Sequence, residues 1–261
     1  MKDAAFADWA RSNAHAIDHL TLGGSDADLE PLRRIIGDAH LVAFGEGLHG
    51  GAEPVEFRNR LFRFLVEHMG FTAIAIESGI TPCFEVNRYV LGGPGELDEV
   101  MSRGFTFFGD LPQNFELVRW MRQYNSDPAN SRKLEFYGTD VSGGADNMQS
   151  TLFVALDYLR ERDAALAASL RDRIKDVAPK LRLNRRIAAP DQYTELDAVQ
   201  RDGLTATIAD LVTALAIHEN EYAAATSHLE FELAHRAAIA ARQVDAYLRQ
   251  VPIGWTPRER S

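Results

Sequence analysis

Two ionisable side chains, Glu46 and His49, lie in a glycine-rich segment that follows a run of apolar residues; residues 41–50 read LVAFGEGLHG. Four apolar residues in a row predict a buried strand, and the glycines after it allow a sharp turn. A carboxylate and an imidazole are costly to bury but suited to proton transfer. The same letters match G-x-G-x-x-G, so this segment is either a catalytic turn or a dinucleotide-binding loop.

Two further predicted strands also end in a carboxylate. The strand at 71–76 ends at Glu77, and the strand at 134–137 leads through Gly138 and Thr139 to Asp140. Helices are predicted between the strands, and this alternation indicates an α/β fold with a mainly parallel central sheet flanked by helices. Because ligands bind beyond the carboxyl ends of parallel strands, we expect Glu46, Glu77 and Asp140 at one edge of the sheet, with His49 near them.

An arginine is predicted on the inner face of the helix that begins at Pro54 and ends before Gly70. Positions 58, 62, 65 and 69 share one helix face, and all but Arg58 are apolar. A buried guanidinium needs an anionic partner, so we expect Arg58 to take part in the site. Arg60 and Arg63 are predicted on the opposite, outer face.

The second half of the chain has a different character. Residues 145–250 are rich in alanine and leucine and show helical spacing without a clear strand. We expect an α/β core at residues 1–142 and a helical segment at 143–261 that packs on the core or covers it, within one integrated domain. In the loop at 103–112, Phe105, Phe107 and Phe108 either line an apolar substrate pocket or fill the core.

Composition narrows the class of protein. The net charge of −10 over 261 residues argues against nucleic acid as a partner, because nucleic-acid-binding proteins usually present a basic face. The single cysteine, Cys83, excludes an internal disulfide and is typical of a reducing compartment. Residues 1–10 do not resemble a signal peptide, and no stretch approaches the roughly 20 apolar residues that span a bilayer. We therefore expect a cytoplasmic protein with no membrane partner.

Two cofactor-dependent interpretations compete with a cofactor-free site. In a dinucleotide loop Glu46 would lie beside the pyrophosphate, and Pro54 starts the following helix too late to cap the phosphates. Glu46, His49, Glu77 and Asp140 are acceptable zinc or manganese ligands, but one histidine supplies few nitrogen ligands for zinc. No G-x-S-x-G elbow occurs, and Cys83 at a helix start is typical of packing. A site without metal or cofactor is therefore favoured.

Several segments together resemble one family, the erythromycin esterases. These are GEGLHG at 45–50, FRNRL at 57–61, FTAIAIES at 71–78, WMRQYN at 120–125 and FYGTD at 136–140. The resemblance runs in register over about residues 35–141, whereas the helical remainder is similar in character only.

The resemblance implies a metal-independent hydrolase that opens a macrolactone or a related ester of a small natural product, and hence a link to macrolide resistance. It assigns His49 as the general base that activates water, with Glu46 and Glu77 orienting and polarising the base and the water. Arg58 would bind a carboxylate or stabilise the oxyanion. Family members continue into a further His-Asn-x-His type motif, whereas this sequence stops at Ser261; we expect at least one family histidine to lie outside it. A non-catalytic binding module, or a lyase or transferase with the same acids and base, is the alternative.

Overall fold

The computed structural model describes residues 2–45, 47, 49, 51–105, 108–140, 148–181, 193 and 195–250. Helices α1 to α8 are Lys2–Asn13, Glu30–Ile36, Ala52–Met69, Pro82–Val90, Leu97–Gly104, Pro112–Ser126, Met148–Arg160 and Ala164–Arg173. Helices α9 to α11 are Ala198–Ile217, Glu219–Ala225 and His228–Gln250, and the strands β1 and β2 are Ala73–Gly79 and Glu135–Asp140. Short 3₁₀ turns lie at Ala27–Leu29 and Ala178–Leu181.

Strands β1 and β2 pair in a small parallel sheet. The N–H of Glu135 donates to the carbonyl oxygen of Thr72 at 2.8 Å, and at the other end the N–H of Ile80 donates to that of Asp140 at 3.2 Å. Residue numbers rise together along both strands, which is the parallel arrangement. The predicted α/β class is confirmed, in a mostly helical chain with a sheet smaller than the predicted one.

The predicted strand at 41–44 is wrong. Residues 41–45 have no regular secondary structure, and Leu41 and Phe44 are 84% and 44% exposed. An apolar run becomes a strand only where a neighbouring strand accepts its backbone hydrogen bonds, and in the described residues β1 and β2 pair with each other alone. Val42 instead packs beside the core residues of α3, and the ring of Phe44 lies 5.7 Å from that of Phe57.

The chain forms two compact units. The first comprises Met1–Ile74, Val90–Gly92 and Asp110–Glu135, and the second comprises Ala75–Tyr89, Gly93–Gly109 and Phe136–Ser261. In the first unit α3 packs against α6, and in the second α11 packs against α7, α9 and α10. The boundary predicted between residues 142 and 143 lies in the undescribed segment 141–147. Among the described residues, no helix combines the length and apolar character that a bilayer crossing needs.

Helix α3 corrects a second prediction. It ends where expected, at Gly70, which adopts the left-handed conformation with φ 76° that glycine tolerates best. Arg60, predicted on the outer face, is instead fully buried with its guanidinium bonded to Asp28. The 3.6-residue periodicity identifies the apolar face of a helix. It does not show whether another segment covers the polar face, and here such a segment buries Arg60.

Candidate functional site

The predicted site residues are divided between the two units. His49 and Arg58 belong to the first unit, whereas Glu77, Phe105, Phe108 and Asp140 belong to the second. Glu46 and Phe107 lie outside the described residues, so the predictions for them stay predictions.

His49 lies in a turn shortly before α3, and its side chain is exposed. Gly51, the residue before the helix, is extended with φ −70° and ψ 130°, and α3 begins at Ala52. The imidazole is therefore accessible to water.

Arg58 is half-buried on α3, and two asparagine side chains bind its guanidinium group. Its Nε and Nη2 donate to Oδ1 of Asn59 at 3.1 and 2.7 Å, and Nη2 also donates to Oδ1 of Asn114 on α6 at 2.7 Å. Asn59 and Asn114 are only 1% and 3% exposed. An anionic partner was predicted for this arginine, and the two neutral amides were not predicted. The sequence signal is confined to Asn59, a poor helix former in the middle of a helical segment, because Asn114 lies in the first turn of α6.

Glu77 and Asp140 lie at the same end of the sheet, because parallel strands carry their carboxyl ends to one edge. The hydroxyl of Thr139, the neighbour of Asp140, donates to the carbonyl oxygen of Ile76, the neighbour of Glu77, at 3.0 Å. Glu77 is exposed and Asp140 is half-buried, whereas Ser78, the residue after Glu77 in β1, is 1% exposed. The structure thus brings these two predicted acids to one edge of the second unit.

The two described phenylalanines of the aromatic loop differ. Phe105 is 6% exposed, and its ring lies 5.5 Å from that of Phe136 in the core. Phe108 exposes 43% of its surface and has a φ of 59°, a conformation that bulky residues rarely adopt. Unfavourable backbone conformations cluster at ligand-binding segments, which makes Phe108 the stronger candidate for a substrate contact.

Two sets of side chains among the described residues have metal-ligand character. Asp26, Glu67 and His68 form one, and Glu219, His228 and Glu232 form the other, with ligand atoms within 4.8 Å of one another in each. Neither set includes a predicted site residue. In the first, Asp26 is already bound by Arg63 at 2.6 Å, and the members of the second are exposed or half-buried.

The family model described as erythromycin esterase matches residues 66–261. This chain belongs to the erythromycin esterase family. Erythromycin esterase type II of Escherichia coli is 33% identical over 138 residues, which cover 52% of this chain and 32% of that protein. Erythromycin esterase type I of the same species is 29% identical over 117 residues, covering 44% of this chain and 27% of that protein. The chain thus matches about a third of the length of its curated relatives.

Solved structures share the fold. A succinoglycan biosynthesis protein superposes with a TM-score of 0.76 at 23% identity, over 94% of this chain and 56% of that one. A Bacillus cereus protein superposes with a TM-score of 0.77 at 22% identity, over 98% of this chain and 58% of that one. A mutant erythromycin esterase in its open conformation superposes with a TM-score of 0.63 at 20% identity, over 89% of this chain and 55% of that one. At these identities the similarity shows the fold alone.

Proposed function

We propose that this protein hydrolyses an ester or macrolactone of a small natural product, with water activated by a histidine base and without a metal or cofactor. Membership of the erythromycin esterase family carries the proposal, since it supports a hydrolase-like function. We infer the substrate within this class and the role of each residue from the family resemblance, and the chemistry of the side chains is compatible with these roles.

We assign His49 as the general base. A neutral imidazole takes a proton from water near neutral pH, and an exposed histidine in a turn is reached by both water and substrate. The hydroxide oxygen attacks the carbonyl carbon and forms a tetrahedral oxyanion. Collapse of this intermediate breaks the bond to the alkoxide oxygen, which takes up a proton, so that a lactone becomes a hydroxy acid.

The remaining predicted residues have supporting roles in this proposal. Arg58 stabilises the oxyanion or binds a substrate carboxylate, and its positive charge is suited to both tasks. Glu46 and Glu77 orient and polarise the base and the water. Asp140 contacts polar groups of the substrate, and Phe108 and Phe107 contact its apolar part, whereas Phe105 packs in the core.

The test is hydrolysis of erythromycin and of p-nitrophenyl butyrate by the wild-type protein and by His49→Asn. General-base catalysis contributes about 10²–10⁴-fold, so we expect a loss of that order in the variant. His40→Asn is the matched control, because His40 is also an exposed histidine of the first unit and has no assigned role. An unchanged rate in His49→Asn would refute the base assignment.

Reaction in water labelled with heavy oxygen separates hydrolysis from other chemistry. Hydrolysis places one labelled oxygen in the carboxylate product, whereas elimination by a lyase or transfer to another acceptor does not. A protein that binds the macrolide without turning over any ester would be a binding module, and the proposal would fail.

A further inference from the structure

We propose that Asn59 and Asn114 are positioning residues that hold the guanidinium group of Arg58 in one orientation for the reaction. The inference rests on the proposed function, because it gives Arg58 an anionic group to stabilise. The geometry that supports it, however, lies entirely within the first unit and is independent of any substrate.

The hydrogen bonds fix both the plane and the position of the guanidinium group. Nε and Nη2 of Arg58 lie on the same edge of this planar group, and Oδ1 of Asn59 accepts from both, at 3.1 and 2.7 Å. Oδ1 of Asn114, from helix α6, accepts from Nη2 at 2.7 Å. Acceptors on two different helices restrain a side chain that is otherwise rich in rotamers.

Asn59 is itself held in place. Nδ2 of Asn59 donates to the backbone oxygen of Gln113 at 2.7 Å, and Nε2 of Gln113 donates to Oε1 of Glu56 at 3.0 Å. A flip of the Asn59 amide would turn its NH₂ group towards the guanidinium, which has donors only, and would leave the carbonyl of Gln113 without this bond. With 1% exposure Asn59 has no water to replace the lost contact.

The choice of amide rather than carboxylate has a chemical consequence. An aspartate in place of Asn114 would also offer an acceptor oxygen to the guanidinium but would add a negative charge beside it. The asparagines contribute acceptor oxygens and no net charge, so the orientation they impose does not weaken the attraction of Arg58 for a developing oxyanion. Preorganised charge of this kind requires no reorganisation during the reaction.

The first experiment measures the orientation directly and needs no substrate. Arginine side-chain NMR reports exchange of the Nε hydrogen and rotation about the Nε–Cζ bond of Arg58. We expect both to be slow in the wild type and at least tenfold faster in Asn59→Ala and Asn114→Ala. Asn125→Ala is the matched control: Asn125 is also a buried asparagine of α6, but it bonds to the backbone of Val90 and Leu134. Unchanged Arg58 signals in both alanine variants would overturn the proposal.

The second experiment measures the consequence for catalysis. Misplacement by about 1 Å costs roughly 10²-fold, so we expect kcat on the ester substrate to fall by about that factor in Asn59→Ala and Asn114→Ala. KM should change little, because an oxyanion exists only in the transition state. Full kcat in the alanine variants, with a mobile guanidinium, would overturn the positioning role.

Asn114→Asp keeps the acceptor and the shape of the side chain, and so guards against a loss of folding in the alanine variants. We expect Arg58 to stay ordered by NMR while kcat falls at least tenfold, because the added charge neutralises the guanidinium. Full activity in this variant would contradict the charge argument. If the wild type turns over no ester, the proposed function fails, and the NMR result still decides whether the asparagines hold Arg58.

Discussion

Replacement of Arg60 by methionine removes the guanidinium group whose hydrogen bonds hold residues 18–28 against helix α3. Its guanidinium is fully buried and bonds to both carboxylate oxygens of Asp28 and to the backbone oxygens of His19 and Ser25. Asp28 is 8% exposed and also accepts from the N–H of Asp18 at 2.8 Å. The arginine is therefore the common partner of the buried carboxylate of Asp28 and two carbonyl groups, and its Nε also lies 3.6 Å from Asp26, which keeps Arg63 as a second partner.

We expect a large fall in the free energy of unfolding of Arg60→Met, because the carboxylate of Asp28 stays buried without its partner. Removing one partner of a buried ion pair costs about 3–5 kcal/mol, since the remaining charge has lost its compensation. That is a substantial part of the roughly 5–15 kcal/mol that stabilises a typical domain. In Arg60→Met/Asp28→Asn no charge remains unpaired, so we expect the double variant to lose less than the sum of the two single variants.

The pH dependence has a defined sign. The hydrogen bond from Arg60 holds the pKa of Asp28 well below its ordinary range, against the opposing effect of burial. A lowered pKa in the folded state means that the unfolded chain binds more protons as the pH falls below about 4. The contribution of the Asp28 carboxylate to the free energy of unfolding is thus complete above that pH and is lost progressively towards strong acid. In Asp28→Asn this part of the acid sensitivity should be absent.

The assay is urea unfolding combined with hydrogen exchange of residues 18–28, which reports on this segment even if the two units unfold separately. Arg11→Met is the control, because Arg11 forms an exposed pair with Asp8, with both side chains more than 70% exposed; exposed pairs contribute little. If Arg60→Met shifts the midpoint no more than Arg11→Met and leaves exchange of 18–28 unchanged, the reasoning is refuted.

Four further substitutions test backbone packing, a buried hydrogen bond and a helix cap. Gly138→Ala places a methyl group against carbonyl oxygens of β1, so we expect the free energy of unfolding to fall by about 1–3 kcal/mol. In Gly203→Ala the new methyl group on α9 meets no atom within 4 Å, and we expect the free energy of unfolding to rise by about 0.5–1 kcal/mol. Tyr193→Phe removes a 2.7 Å bond to the buried carboxylate of Asp245 and should cost about 1.5–3 kcal/mol. Asp197→Ala removes the capping box at the start of α9 and should cost about 1 kcal/mol.

Thermal and urea unfolding measure the stability of all four variants. Equal effects of the two glycine substitutions would contradict the close approach of β1 and β2. Burial and the bond to Asp245 raise the pKa of Tyr193, so the wild type should lose stability as the pH rises above about 10 and Tyr193→Phe should lose less over that range. A cap variant with unchanged exchange in the first turn of α9 would show that the cap contributes nothing.

Local sequence patterns located most of the helices. The helices predicted between the strands at 71–76 and 134–137 are present as α4, α5 and α6, and the predicted end of α3 before Gly70 is confirmed. The strand predicted at 71–76 lies at Ala73–Gly79, two residues further on. Proline, glycine and periodicity act over a few residues, so a single sequence carries this information.

Family membership was also present in the sequence, because the motifs at 45–50, 71–78 and 136–140 are short and contiguous. The placing of Glu77 and Asp140 at one edge of the sheet followed from the alternation of strands and helices. The side-chain roles at this edge remain predictions.

Tertiary structure alone decided the partners. It left residues 41–45 outside the pairing of β1 with β2, buried Arg60 against Asp28, and set Asn114 of α6 against Arg58 of α3. The contacts of Arg60 with Asp28 and of Arg58 with Asn114 join residues 32 and 56 positions apart in the sequence. Periodicity shows which face of a helix is apolar, but the segments that cover the helix determine which polar side chains are buried and what satisfies them.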